Sequence, residues 1–102
     1  MRPIHRAQVD KERYVLLLTP YRQALYMSSV VVAPIFTGSK RYRTQIEVGT
    51  REGLAHDSVI KCESIANVDT SLLGERVGDL AEWREPELRD AITDAFALQP
   101  YD

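Results

Sequence analysis

A mostly β domain that ends in a single α-helix is what this 102-residue sequence predicts. Three stretches carry that expectation. Ser29 to Ile35 holds three consecutive valines, then Ala33 and Ile35, and offers no polar face. A short β-branched run of this kind is a strand covered on both sides, the centre of a small sheet. Tyr14-Val-Leu-Leu-Leu-Thr19 is a second buried strand, ended by Pro20. Near the C-terminus, Leu88, Ala91, Ile92, Ala95 and Phe96 recur at i, i+3, i+4, i+7 and i+8, one face of a helix.

The remaining elements follow in order. Ile4 to Val9 alternates poorly and reads as an edge strand. The charged turn Asp10-Lys-Glu-Arg13 joins it to the Tyr14 strand as a hairpin. Tyr21 to Ser28 reads as a polar connection. The central run stops at Pro34, and Thr37 to Arg43 is a loop with its turn at Gly38-Ser39. Thr44 to Val48 alternates, with Ile46 and Val48 on one face, and ends at Gly49. Val59-Ile60 and Ile65 to Val68 continue the extended pattern around a bend at Ser64. Asp69-Thr70-Ser71 caps a single helical turn through Leu73, closed by Gly74, and Glu75 to Asp79 is a last short strand with Val77 inward. Pro86 and the acids Glu82, Glu85 and Glu87 suit a helix start, which places the helix over 86–98 before Pro100.

One domain of this length buries roughly two thirds of its unfolded surface, enough for a core without staples. Cys62 is the single cysteine, so an internal disulfide is excluded, and its apolar setting reads as a buried small hydrophobe. No apolar run approaches the ~20 residues of a membrane span, and the N-terminus lacks the apolar region of a signal peptide. The expectation is a soluble cytoplasmic protein without membrane contact. His5 and His56 have no metal-ligand spacing with each other or with Cys62, and no phosphate-cradling glycine loop occurs, so neither metal nor cofactor is expected. His56-Asp57-Ser58 reads as a polar turn.

Charge is divided along the chain. Through Arg51 the net charge is +6, and from Glu52 onward it is −8, within a total of −2. A basic front suits phosphates or an acidic partner, and the two halves also attract each other within the fold or across a dimer. Lys40, Arg41 and Arg43 around Tyr42 fit a solvated hairpin tip, or a nucleic-acid backbone with a base stacked on the ring.

The strand Arg13-Tyr-Val-Leu-Leu-Leu, the strand Val-Val-Val-Ala-Pro-Ile35, a Gly-closed segment and a C-terminal helix, in that order, resemble the CcdB and MazF/PemK toxin superfamily over nearly the whole length. The run from Cys62 to Leu80, which contains Leu-Leu-Gly-Glu-Arg-Val-Gly-Asp-Leu, is similar to the CcdB pattern Ile-Gly-Glu-Glu-Val-Ala-Asp-Leu. Arg13-Tyr14 and the Asp90-Ala91-Ile92…Phe96 tail are also CcdB-like. In the other branch, Arg13-Tyr-Val-Leu-Leu-Leu-Thr-Pro20 resembles the Arg-Pro-Val-Leu-Val-Leu-Ser-Pro strand of MazF. Gly53-Leu54 with Asp57-Ser58-Val59 resembles its Gly-Leu…Asp-Ser-Val segment.

The resemblance implies a small SH3-like barrel with an inserted sheet and a C-terminal helix. It implies a type II toxin that forms a homodimer and is neutralised by a small antitoxin with a disordered acidic tail. Arg13, Lys40, Arg41 and Arg43 are the residues that would receive that tail. The reading adopted is the CcdB branch, a non-catalytic toxin that binds a protein target; in that branch the target is DNA gyrase, gripped through its A subunit. Ala24, Leu25, Thr93, Phe96 and Tyr101 are then the target-facing residues. Of the CcdB terminal Phe-Trp-Gly-Ile, only Phe96 is matched.

The alternative is a MazF-like endoribonuclease with RNA as substrate. That branch pairs an Arg with a Thr, which implies Arg13 and, on a shifted strand, Thr37 here. The aligned hydroxyl position holds Phe36, and Thr37 follows one residue late, on the opposite side of an extended strand. A third reading is a non-toxic dimeric binding module on the same barrel.

Overall fold

The computed structural model describes residues 1–98. Strands β1 (Arg2–Gln8), β2 (Glu12–Leu17), β3 (Ser29–Thr37), β4 (Gln45–Val48), β5 (Ser58–Lys61), β6 (Ala66–Asp69) and β7 (Leu73–Leu80) form one antiparallel sheet. Two helices, α1 (Tyr21–Ala24) and α2 (Glu85–Ala95), accompany it. Along the sheet the order is β4-β5-β3-β2-β1-β7, with β6 also beside β3. The sheet curls into a half-barrel. Its rim is met by backbone contact across the curl, where a Cβ on Gly78 would collide with the Glu52 carbonyl oxygen. Glycine is required there by space alone, whereas Gly53, facing Val77, also has a positive φ of 94°.

β3 is the organising strand, as the valine run predicts. One side of it pairs with β2 from Val32 to Ile35. The other side pairs with β6 over Ser29–Val32 and with β5 over Ile35–Thr37. Pro34 does not end the strand. It falls in the interval between those two partners, where its missing N–H leaves no ladder bond unmade. The turn Cys62–Ser64 carries the chain from β5 to β6 across this interval and buries Cys62 fully.

Each sheet face has its own core. Ile4, Leu16, Ala33, Ile35, Ile46, Ile60 and Leu80 pack under Leu88 and Ala91 of α2. On the opposite face Ala7, Val15, Leu17, Val30, Val32 and Val68 pack with Ala24 of α1. Two short covers therefore serve one sheet, and the second reaches only one end of its face.

Several expectations are corrected. The Ile4–Val9 segment is not an edge strand; as β1 it lies between β2 and β7. The connection after Pro20 contains a helical turn, with the Ala24 N–H donating to the Pro20 carbonyl at 2.9 Å. Gly74 lies inside β7, which begins at Leu73 and is longer than the short strand anticipated. Val31 is 36% exposed rather than covered, and it is absent from the core that packs under α2. α2 ends at Ala95, and Phe96 leaves the apolar face to stand 51% exposed at the C-cap. Cys62 is buried as expected, and Asp69 caps the Thr70–Leu72 turn by accepting from the Ser71 N–H at 2.9 Å. No helix among the described residues is long and apolar enough to cross a membrane.

Candidate functional site

The end of the sheet that α1 leaves uncovered carries charge. Side chains alternate along β2, so Arg13 shares the face of Val15 and Leu17. On β3, Phe36 shares the face of Val30 and Val32, and on β5, Lys61 shares the face of Val59, which pairs with Phe36. Since β2 and β5 flank β3 on its two sides, Arg13 and Lys61 approach Phe36 from opposite strands. The Arg13 guanidinium carbon lies 4.2 Å from the centre of the ring, and the Lys61 ammonium also lies 4.2 Å from it. Both distances are well within cation–π range.

Each cation has a carboxylate on its outer side. Arg13 donates to both oxygens of Asp10, Nε to Oδ1 at 2.7 Å and Nη2 to Oδ2 at 3.0 Å. The Arg13 hydrogen bonds hold the Asp10 carboxyl far below the usual carboxylate range, and the pairing raises Arg13 in turn. This two-point pair uses one edge of the guanidinium and leaves the Nη1 edge. Beyond Lys61, Glu63 accepts from Thr44 Oγ1 at 2.8 Å and from Gln45 Nε2 at 2.9 Å. Partial burial pushes the Glu63 carboxyl up, but those hydrogen bonds and the charge of Lys61 outweigh it, and its pKa is lowered.

The other candidate residues lie elsewhere. Thr37 points to the opposite side of β3 from Phe36 and is exposed, so the alternative Arg13–Thr37 pair is not assembled. Lys40 and Arg43 are exposed and line a groove with Asp90 and Asp94 of α2. The Arg41 N–H donates to Gln45 Oε1 at 3.0 Å, which ties this loop to β4. Ala24 is buried and cannot present a target-facing surface; Leu25 beside it is 62% exposed. Phe96 is exposed, Thr93 half-buried, and Tyr101 lies outside the described residues. No group of three His, Cys, Asp or Glu side chains among the described residues could hold a metal ion.

Sequence reasoning missed Asp10 and Lys61. Asp10 precedes Arg13 by three residues across a turn, a spacing that was legible. Lys61 was not, because its place beside Phe36 depends on which strand pairs with the second half of β3.

A model of the PemK-like, MazF-like toxins of type II toxin–antitoxin systems matches residues 2–96. A protein of Mycobacterium tuberculosis named endoribonuclease MazF3 is 40% identical over 98 residues, covering 96% of this chain and 95% of the relative. The solved structure of Mycobacterium tuberculosis toxin MazF-mt6 superposes with a TM-score of 0.93 at 38% identity, over 97% of this chain and all of that one. The fold extends to a MazE-MazF structure from Deinococcus radiodurans, with a TM-score of 0.75 at 13% identity over 96% of this chain and 93% of that one.

Proposed function

Because this chain belongs to the PemK-like, MazF-like family of type II toxins, we propose that it acts in the cytoplasm as an endoribonuclease on single-stranded RNA, centred on Arg13. The superfamily expected from the sequence stands, but the adopted branch changes. The relatives are of the MazF branch, and none of them supports the CcdB reading or a gyrase target. The observation that carries the proposal is the Arg13 guanidinium, fixed by Asp10 on an open sheet face beside a second cation. Its free edge suits a phosphate oxygen.

RNA supplies its own nucleophile. The 2′-oxygen attacks the adjacent phosphorus, the bond from phosphorus to the 5′-oxygen breaks, and the ends are a 2′,3′-cyclic phosphate and a 5′-hydroxyl. One proton leaves the 2′-hydroxyl and one joins the 5′-oxygen, so the step is proton- and redox-neutral. Negative charge builds on the non-bridging phosphate oxygens in the transition state, and a positioned cation there lowers the barrier. That is the role assigned to Arg13. A cognate antitoxin with an acidic segment would neutralise the toxin by occupying the same cations, together with Lys40, Arg41 and Arg43, and a homodimer is the expected form.

Incubation of purified protein with a long unstructured RNA in EDTA tests this. Cleavage at defined sites is expected. Arg13→Ala should reduce it by roughly 100-fold or more, the order seen when one transition-state donor is removed. Thr37→Ala should leave it unchanged, because that hydroxyl faces away. Equal cleavage by Arg13→Ala would overturn the proposal. A second reading, a toxin that grips RNA without cutting it, is favoured by one observation: a ring, not a hydroxyl, faces Arg13. On that reading the native chain binds but does not cleave, and Phe36→Thr gains cleavage.

A further inference from the structure

We infer that Lys61 is a positioning residue that grips the phosphate next to the one held by Arg13, with Phe36 as the spacer that keeps the two cations apart. The inference rests on the RNA-directed reading above and names how that site takes its substrate.

The sheet order places Arg13 and Lys61 on strands two positions apart, with the Phe36 strand between them. Neighbouring strands lie about 4.8 Å apart, so the two backbones are separated by roughly twice that distance. Each charged group then leans back to 4.2 Å from the same ring centre. The Phe36 strand, and the ring it carries, stands between the strands that supply them. Cations set on either side of a ring that stays in place suit two successive phosphates of one extended strand better than one shared phosphate.

The flanking carboxylates support the same division. Asp10 occupies the outer edge of Arg13, and Glu63, itself held by Thr44 and Gln45, stands beyond Lys61. Both acids repel a backbone that drifts outward. The path left open runs over the ring, from one cation to the other. Phe36 itself is half-buried and flanked by the two charges, so it acts as a wedge and not as a stacking platform.

Binding of an uncleavable 2′-O-methyl RNA octamer, followed against salt concentration, tests the contact directly. Each phosphate contact on a single strand contributes about 0.7 to the slope of log K against log salt. Lys61→Ala should lower the slope by about that amount, and Lys61→Arg should restore it. In cleavage assays Lys61→Ala should raise KM by roughly tenfold, the loss of one charge-assisted hydrogen bond, and leave kcat within about twofold. Arg13→Ala should instead lower kcat. A dinucleotide with an added 3′-phosphate should bind the native protein more tightly than one without it, and Phe36→Ala or Lys61→Ala should abolish that advantage.

An unchanged salt slope in Lys61→Ala overturns the inference even if the native protein cleaves RNA. A fall in kcat with KM unchanged overturns it too, by making Lys61 part of the chemistry. If the native protein binds the octamer with the expected slope but cleaves no RNA, the endoribonuclease reading fails and the two-phosphate grip stands.

Discussion

At the scale of single residues, neighbours in the valine run have different fates. Val30 and Val32 point into the core that includes Ala24 of α1, while Val31 points to the other face and stands partly exposed. A run without polar positions announces a strand but cannot say where its covers stop, since those limits are set by helices distant in sequence. The consequence is measurable. Val32→Asp should bury an unpaired charge and cost about 4 kcal/mol or more, while Val31→Asp should cost only about 1 kcal/mol. Urea unfolding midpoints of the two variants, at equal slope, provide the comparison. Equal losses would mean that Val31 is covered in solution. The candidate site shows the same limit. Arg13 is legible through the likeness of the Arg13–Pro20 strand to a known family, but the stack on Phe36 depends on strand order, and Lys61 enters only once β5 is known to flank β3.

At the scale of elements, the helix was the most legible part. Its apolar spacing from Leu88 to Ala95, Pro86 and the acids Glu85 and Glu87 all hold in α2, while Phe96 falls past its end. Its anchor was not legible. Arg84, just before the helix, donates to Glu87 at 2.9 and 3.0 Å, to the Glu47 carbonyl at 2.8 Å, and faces Glu52 at 3.5 Å. Glu52 in turn accepts from the Gly49 N–H at 2.7 Å, so one guanidinium fastens the start of α2 to β4 and to the turn that meets β7. Arg84 and Glu52 side chains are 12% and 11% exposed, so removing one leaves the other's charge buried. Arg84→Ala should therefore destabilise the fold by roughly 3–5 kcal/mol. Arg84→Ala together with Glu52→Gln should lose less than the single change, because the stranded carboxylate is gone. A thermal or urea double-mutant cycle measures this, and strict additivity would show that the pair is not coupled.

At the scale of the whole molecule, the basic front and acidic rear attract each other within one chain, one of the two roles anticipated for them. Arg2 joins Glu85 through two hydrogen bonds of 2.7 and 3.0 Å, and Arg6 reaches Glu75 at 3.4 Å. The first of these clasps β1 to the start of α2, and Arg2 also donates to the Leu18 carbonyl at 2.7 Å. The front's remaining cations, including Lys40, Arg41, Arg43 and Arg51, stay exposed for a ligand. The clasp makes stability depend on acidity in a definite direction. Hydrogen bonding from Arg2 lowers the Glu85 carboxyl below its ordinary 4.5. A carboxyl lowered by folding binds its proton more tightly in the unfolded chain. Its contribution is thus fully present above about pH 4.5 and is lost as pH falls through the lower, folded value. Partial exposure of both side chains keeps the effect modest. Unfolding free energy measured from pH 7 to pH 3 should fall less steeply in Arg2→Met than in the native chain, with the two curves converging at the acid end. If the curves instead run parallel throughout, the clasp contributes packing and not charge, and the attraction between the halves does not help hold α2 against the sheet.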